Sequence, residues 1–210
     1  ELEYVQRMMA WLLFVEPDCV PGRQAMQLGL GAGALTKFCH KRLRMRTTAV
    51  EINPGVLHAC RGWFRLPSDD ARLSVVIGDA ATEIRRDEWI GGVDALQVDL
   101  YDHDAAAPVL DSAEFYADCR RLLTDEGTMT VNLFGRRASF AVSVDRIASV
   151  FGADAVWTFR PTREGNSVVL ARRSPGDPGR EVLAARAAEV EARWGLPARK
   201  WLRVFKPMNP

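Results

Sequence analysis

The sequence predicts an α/β protein with a doubly wound, mostly parallel sheet, helices on both faces and an antiparallel strand pair at its C-terminal edge. The run Ala25-Met-Gln-Leu-Gly-Leu-Gly-Ala-Gly-Ala-Leu35 passes from a short apolar strand through a glycine-rich turn into a helical pattern. Thr48-Ala-Val-Glu-Ile52 repeats the strand pattern about twenty residues on and carries an acid at its end. Two further strand patterns, Arg72–Asp79 and Val93–Asp99, also end in acids. Glu51, Asp79 and Asp99 would therefore converge on the C-terminal edge of a parallel sheet, which is where open α/β sheets bind ligands.

The 210 residues suffice for one large α/β domain and are few for two. An apolar share of 48% and a charged share of 26% belong to an ordinary globular protein. The 28 Lys and Arg against 27 Asp and Glu leave a charge of +1, which asks for neither nucleic acid nor a membrane as partner. Cys19, Cys39, Cys60 and Cys119 are scattered singly and the three histidines, His40, His58 and His103, are dispersed. That pattern points to reduced thiols in a cytoplasmic protein and to no metal site. No apolar run approaches the length of a membrane span, and no signal peptide is visible.

The elements follow in order. Residues 1–15 place Tyr4, Met8, Trp11, Leu12 and Val15 on one face of an amphipathic helix, which the loop Glu16–Gly22 ends. A strand at 25–29 and the glycine turn lead into a helix to about Leu43, and a second strand spans 47–52. Asn53 is a natural N-cap and Pro54 a natural first residue for a helix that ends near Pro67. Strands at 72–79 and 93–99 flank a short helix at 80–89. A helix at 110–123, with Phe115, Tyr116 and Cys119 at core-like spacing, stops at Thr124-Asp-Glu-Gly127. A fifth strand at 128–134 and a helix at 138–151 precede the closing antiparallel pair at 155–159 and 166–171. After the linker Ser174–Gly179 come an alanine-rich helix, Arg180–Trp194, and an aromatic and basic tail, Trp201–Lys206, that docks on the body or on a neighbouring subunit. The expected organisation is an N-terminal helix and linker at 1–20, a nucleoside-binding catalytic domain at 21–173, and a C-terminal linker, helix and tail at 174–210 packed on it.

Gly29, Gly31 and Gly33 have the spacing G-x-G-x-G. A strand-to-helix turn that brings its backbone against a ligand has no room for Cβ, and it aims the free N–H groups of the helix at whatever lies over the glycines. An acid at the end of the second strand accepts hydrogen bonds from both hydroxyls of a ribose. Together Gly29, Gly31, Gly33 and Glu51 read as a nucleoside site; the plainer alternatives are a tight turn and a solvated strand-end acid.

The order GLGAG, AVEINP, VVIGDA, ALQVDLYD and then Ala113-Glu-Phe-Tyr-Ala-Asp-Cys-Arg-Arg-Leu-Leu-Thr-Asp-Glu-Gly127 resembles the spermidine synthase family of polyamine aminopropyltransferases over about residues 4–172. The resemblance implies a Rossmann-like class I methyltransferase fold and decarboxylated S-adenosylmethionine, or S-adenosylmethionine itself, as co-substrate. Asp99-Leu-Tyr-Asp102 is similar to the family's D-x-x-D, whose first acid takes a proton from the attacking amine, and this assigns Asp99, Tyr101 and Asp102 to catalysis. Asp79, beside Ala80, resembles the acid that binds the adenine amino group. Glu51, beside Ile52, resembles the ribose-binding acid, and Gln6 is similar to a glutamine near the nucleoside. The implied partner is a small-molecule amine and the implied assembly a homodimer.

The departures fall on the amine side. The acid of the family's G-G-G-D-G turn is Ala32 here, its first tyrosine falls on Val5 with Tyr4 one residue out, its second on Arg163, and the proline after D-x-x-D is His103. Asp102 and Asp104 also fit a solvated acidic loop. The family's N-terminal β-domain, ahead of the helix matching residues 4–15, is either missing or precedes Glu1. Three readings stay open: an aminopropyltransferase with an eroded polyamine pocket, a methyltransferase, and a non-catalytic nucleoside-binding member. Methyltransferases commonly carry an acid two residues before the first glycine, where this chain has Gln27.

Overall fold

The computed structural model of the chain describes residues 2–100, 110–134 and 137–208. Its first helix, α1, spans Glu3–Arg7 and passes at Met9 into a tight 3-10 turn, Ala10–Phe14. The single amphipathic helix expected for residues 1–15 is thus broken, for a reason that lies in the sheet. The Met8 carbonyl accepts hydrogen bonds from Gln97 Nε2 at 3.2 Å and Thr130 Oγ1 at 3.0 Å. The Leu12 N–H, its partner in a continuous helix, donates to Met9 O at 3.0 Å instead. Met8 to Leu13 are buried on all sides rather than on one face.

Strand β1, Gln24–Leu28, enters the glycine turn, and α2, Ala34–Lys37, leaves it. The expected helix to Leu43 finishes as a π-turn over Phe38–Arg42, closed by the Leu43 N–H donating to Phe38 O at 3.0 Å. Strand β2, Arg46–Glu51, is followed by α3, Pro54–Trp63, whose cap is Asn53 Oδ1 accepting from Gly55 N at 2.8 Å. Then come β3, Leu73–Ile77, the single turn α4, Ala80–Glu83, and β4, Val93–Val98. Helix α5, Ala113–Leu122, runs directly into β5, Leu123–Phe134. The turn expected at 124–127 is a bulge inside that strand: Val93 pairs with Leu123 but Ala95 with Thr128. Helix α6, Arg137–Phe151, precedes β6, Val156–Phe159, and β7, Asn166–Arg172. The chain closes with α7, Arg180–Trp194, the turn α8, Ala198–Trp201, and β8, Phe205–Pro207.

The eight strands form one sheet in the order β3-β2-β1-β4-β5-β7-β6-β8. Strands β3 to β5 are parallel, β7 pairs antiparallel with both β5 and β6, and β8 pairs antiparallel with β6. The tail docks on the body as this eighth strand, too short and too basic to read as one in the sequence. Strand alternation sends Met26, Leu28, Leu96 and Val98 into a core under α5 and α6, and Ala25, Ala95, Val168 and Leu170 into a core under the N-terminal segment and α7. On this second face a polar stripe interrupts the packing: Gln27 Nε2 donates to Gln97 Oε1 at 2.9 Å, and Gln97 holds Met8. Replacing Gln97 by Leu removes the oxygen that Gln27 donates to and leaves the Met8 carbonyl to Thr130 alone. We expect a loss of about 2 to 3 kcal/mol in urea unfolding, and an unchanged midpoint would show that the Met8 carbonyl needs no clamp.

Candidate active site

The sheet reverses direction of winding between β1 and β4, and the crevice outside their carboxyl ends is the binding position of a doubly wound fold. Gly29 follows β1 with φ of +90°, and a Cβ there would lie 2.3 Å from the Asp99 carbonyl oxygen. The turn can therefore touch the end of β4 only through glycine. Gly33, φ +67°, opens α2 without a side-chain cap. The Cys60 thiol donates to Gly31 O at 2.9 Å and supports the turn from below.

A cavity of about 560 Å³ lies over this crevice, with Gly29, Gly31, Glu51, Ile52, Asp79 and Asp99 in its wall. Glu51 is buried, with one oxygen accepting from Leu30 N at 3.0 Å and the other from Asn53 N at 2.9 Å. The carboxylate is thereby fixed between the glycine turn and the start of α3, and each oxygen keeps a further lone pair for a ligand hydroxyl. Ile52, 69% exposed, offers an apolar ledge beside it. Asp79 is exposed and caps α4, its Oδ1 accepting from Ala81 N at 3.0 Å, while Ala80 behind it is buried.

Asp99 follows β4 on the face covered by the N-terminal segment, so its side chain meets α1. Its Oδ2 accepts from the Tyr4 hydroxyl at 3.3 Å, and its Oδ1 from Asn132 Nδ2, on β5, at 2.9 Å. Burial pushes the Asp99 carboxyl above the usual carboxylate range, and the hydrogen bonds from Asn132 and Tyr4 draw it part of the way back. Burial, together with the Asp99 charge, raises the Tyr4 phenol, which keeps its proton and stays a donor. A smaller cavity of about 230 Å³ shares Tyr4, Gly29, Gly31 and Asp99 with the first and continues over Val5 and Ala32. Asp99 thus stands where the larger cavity meets a second pocket lined by Val5, Ala32, Ala34 and Leu35.

Gln6, half-buried in α1, is not among the described residues lining either cavity; Tyr4 from the same helix lines both. Tyr101 and Asp102 lie outside the described residues, as do His103 and Asp104. Arg163 is exposed on the turn between β6 and β7, which the Thr162 N–H closes onto Asn166 O at 2.7 Å. Tyr4 was read from the sequence only as a helix-face residue one position from the family's first tyrosine, and Asn132 was not singled out. For Asn132 a signal exists: Thr128, Thr130 and Asn132, at alternate positions of the strand, repeat the spacing of Gln97 and Asp99 and mark one face. Among the described residues no group of three or more His, Cys, Asp or Glu is arranged to hold a metal ion, and no helix is long and apolar enough to cross a membrane.

This strand order, with a glycine turn after β1 and acids at or just past the ends of β2, β3 and β4, is that of the class I methyltransferase fold. Among solved structures the chain is similar to human methyltransferase-like protein 13 in complex with SAH, with a TM-score of 0.81 and 23% identity over 92% of each chain. It is also similar to a probable spermidine synthase from Corynebacterium glutamicum, with a TM-score of 0.72 and 19% identity over 94% of this chain and 73% of that one. At these identities the likeness is one of fold. No protein-family model matches the sequence. By sequence, the polyamine aminopropyltransferase of Neisseria meningitidis is 30% identical over 211 residues, which cover 100% of this chain and 78% of that one. The chain belongs to the polyamine aminopropyltransferase family.

Proposed function

We propose that the protein is a spermidine synthase-like transferase that binds decarboxylated S-adenosylmethionine in the larger cavity and transfers its aminopropyl group to a small amine. In this reading Glu51 holds the ribose hydroxyls, Asp79 the adenine amino group, Ile52 and Ala80 flank the base, and Gly29, Gly31 and Gly33 let the sulfonium approach Asp99. The acceptor nitrogen attacks the carbon bound to sulfur. The C–S bond breaks with its electron pair going to sulfur, 5′-methylthioadenosine leaves, and the proton shed by the new ammonium passes to Asp99. The observation that carries the proposal is the placement of Asp99, a half-buried carboxylate oriented by two donors at the junction of two cavities, in a chain of this family. The protein would act in the cytoplasm, in keeping with its four unpaired cysteines, and as a homodimer by analogy with relatives.

A methyltransferase using S-adenosylmethionine is the second reading, compatible with the fold shared with methyltransferase-like protein 13. Calorimetric titration with 5′-methylthioadenosine and S-adenosylhomocysteine, the by-products of the two reactions, separates them. Tighter binding of the first supports aminopropyl transfer, tighter binding of the second supports methyl transfer, and binding of neither removes both. Replacing Glu51 by Ala should weaken the tighter ligand at least ~100-fold through loss of two charge-assisted hydrogen bonds, with the circular dichroism spectrum unchanged. An affinity equal to that of the wild type would detach Glu51 from the ribose.

A further inference from the structure

Asp99 borders two cavities, and the aminopropyl donor of the proposed reaction occupies the larger. The smaller, of about 230 Å³, lies below the ~300–1,000 Å³ of pockets that take drug-sized ligands, so it suits a short chain. Tyr4 and Val5 line it from α1, Leu30 and Ala32 from the glycine turn, and Ala34 and Leu35 from α2. Leu30 and Leu35 are buried members of the hydrophobic cores, so the lining passes from the crevice into the interior. Among the described residues that line this pocket, Asp99 is the charged one, and it stands on the edge shared with the larger cavity.

A molecule matched to such a lining has one polar end and one apolar end. The reacting nitrogen must lie beside Asp99, because the carboxylate takes its proton and because the larger cavity opens there. The substituent on that nitrogen then runs along Val5, Ala34 and Leu35. A hydrocarbon substituent gains from being covered. A second ammonium at its far end would instead give up its water without meeting a carboxylate among the described residues of the wall.

We propose that the acceptor is a primary monoamine with a short hydrocarbon chain, its nitrogen on Asp99 and its chain in the smaller pocket, taken in preference to a diamine or polyamine. This rests on the reading of Asp99 as the group that meets the acceptor amine. Val5, Ala34 and Leu35 line the smaller pocket and not the larger, so they set the choice of acceptor apart from the nucleoside.

The test is calorimetric titration of amines into the 210-residue chain, with and without saturating 5′-methylthioadenosine, which reads binding without requiring turnover. From ethylamine to n-butylamine each added methylene should tighten binding about fourfold. The diamine 1,4-diaminobutane differs from n-pentylamine by an ammonium in place of the terminal methyl, and n-pentylamine should bind at least ~10-fold tighter. Val5→Glu adds a carboxylate to the wall and should reverse that order. Ala34→Leu fills the pocket and should weaken n-pentylamine at least ~10-fold, with 5′-methylthioadenosine affinity unchanged. If Val5→Glu does not fold, Ala34→Leu decides. Equal or tighter binding of the diamine by the wild type, n-pentylamine affinity untouched by Ala34→Leu, or no binding of any amine overturns the proposal. Binding in the expected order with no aminopropyl transfer to these amines leaves the ligand class of the pocket standing and removes the transfer reaction instead.

Discussion

Replacing Asp99 by Asn is expected to lower kcat by about 10² to 10⁴, the span of positioned acid–base catalysis, while 5′-methylthioadenosine binds as it does to the wild type. Asn fills the same space and can still meet Tyr4 and Asn132, so the cavity walls persist, but an amide cannot take up the proton. The accompanying pH dependence has a definite sign. In the proposed reaction the ionised carboxylate is the working form, so kcat should fall as pH drops through the Asp99 pKa. Burial raises that pKa above its ordinary value, so the acid limb lies above the usual range for an aspartate, about 4. Steady-state rates across pH, with decarboxylated S-adenosylmethionine and a range of amines, check both statements. Full turnover by Asp99→Asn would place the base elsewhere.

Gly29→Ala is expected to damage the fold as much as the site. The new Cβ would stand 2.3 Å from the Asp99 carbonyl, on a residue whose φ is +90°. Either the turn or the end of β4 has to move. The Gly29 N–H bond to Val50 O at 2.9 Å and the Asp99 N–H bond to Leu28 O at 2.9 Å hold both in place. The cost is at least ~3 kcal/mol from backbone strain and overlap, which for a chain of this size lowers Tm by roughly 6 to 12 °C. Nucleoside affinity should fall in the residual folded protein as well. A variant with wild-type Tm would mean that the turn is not pressed against β4.

The parts of the molecule that were legible in the sequence are those whose causes are local. The glycine turn, the Asn53 cap and the acids at the ends of β2, β3 and β4 each declare themselves within a few residues, and the parallel course of β1 to β5 follows from the alternation of strand and helix. What was not legible depends on partners far along the chain. Tyr4 meets Asp99 across 95 residues, and no spacing within α1 reports that reach; the fold instead moved attention from Gln6 and Val5 to their neighbour. The helix expected at 1–15 stops because Gln97 and Thr130 capture the Met8 carbonyl, a tertiary bond that outweighs helical periodicity. The start of β5 was read as a turn because Thr124-Asp-Glu-Gly127 has turn composition, and it is in fact the bulge. Gly127 is required there because its Cβ would lie 2.8 Å from Val93 O.

The core beneath the N-terminal segment joins Met8, Trp11 and Leu13 to Trp157, Val190, Trp201 and Phe205, and ion pairs of Arg186 with Glu16 and of Arg193 with Asp18 bind the same segment to α7. A ribosome making this chain therefore releases its first buried residues long before the helix that covers them exists. Half of the hydrophobic interior, and with it the seat of Tyr4 over Asp99, is completed only after Arg180 and the residues that follow have left the exit tunnel. The Asp99 carboxylate acquires its surroundings only once α7 has emerged, so a chain cut short before α7 would carry the glycine turn and its acids with an exposed apolar face beside them.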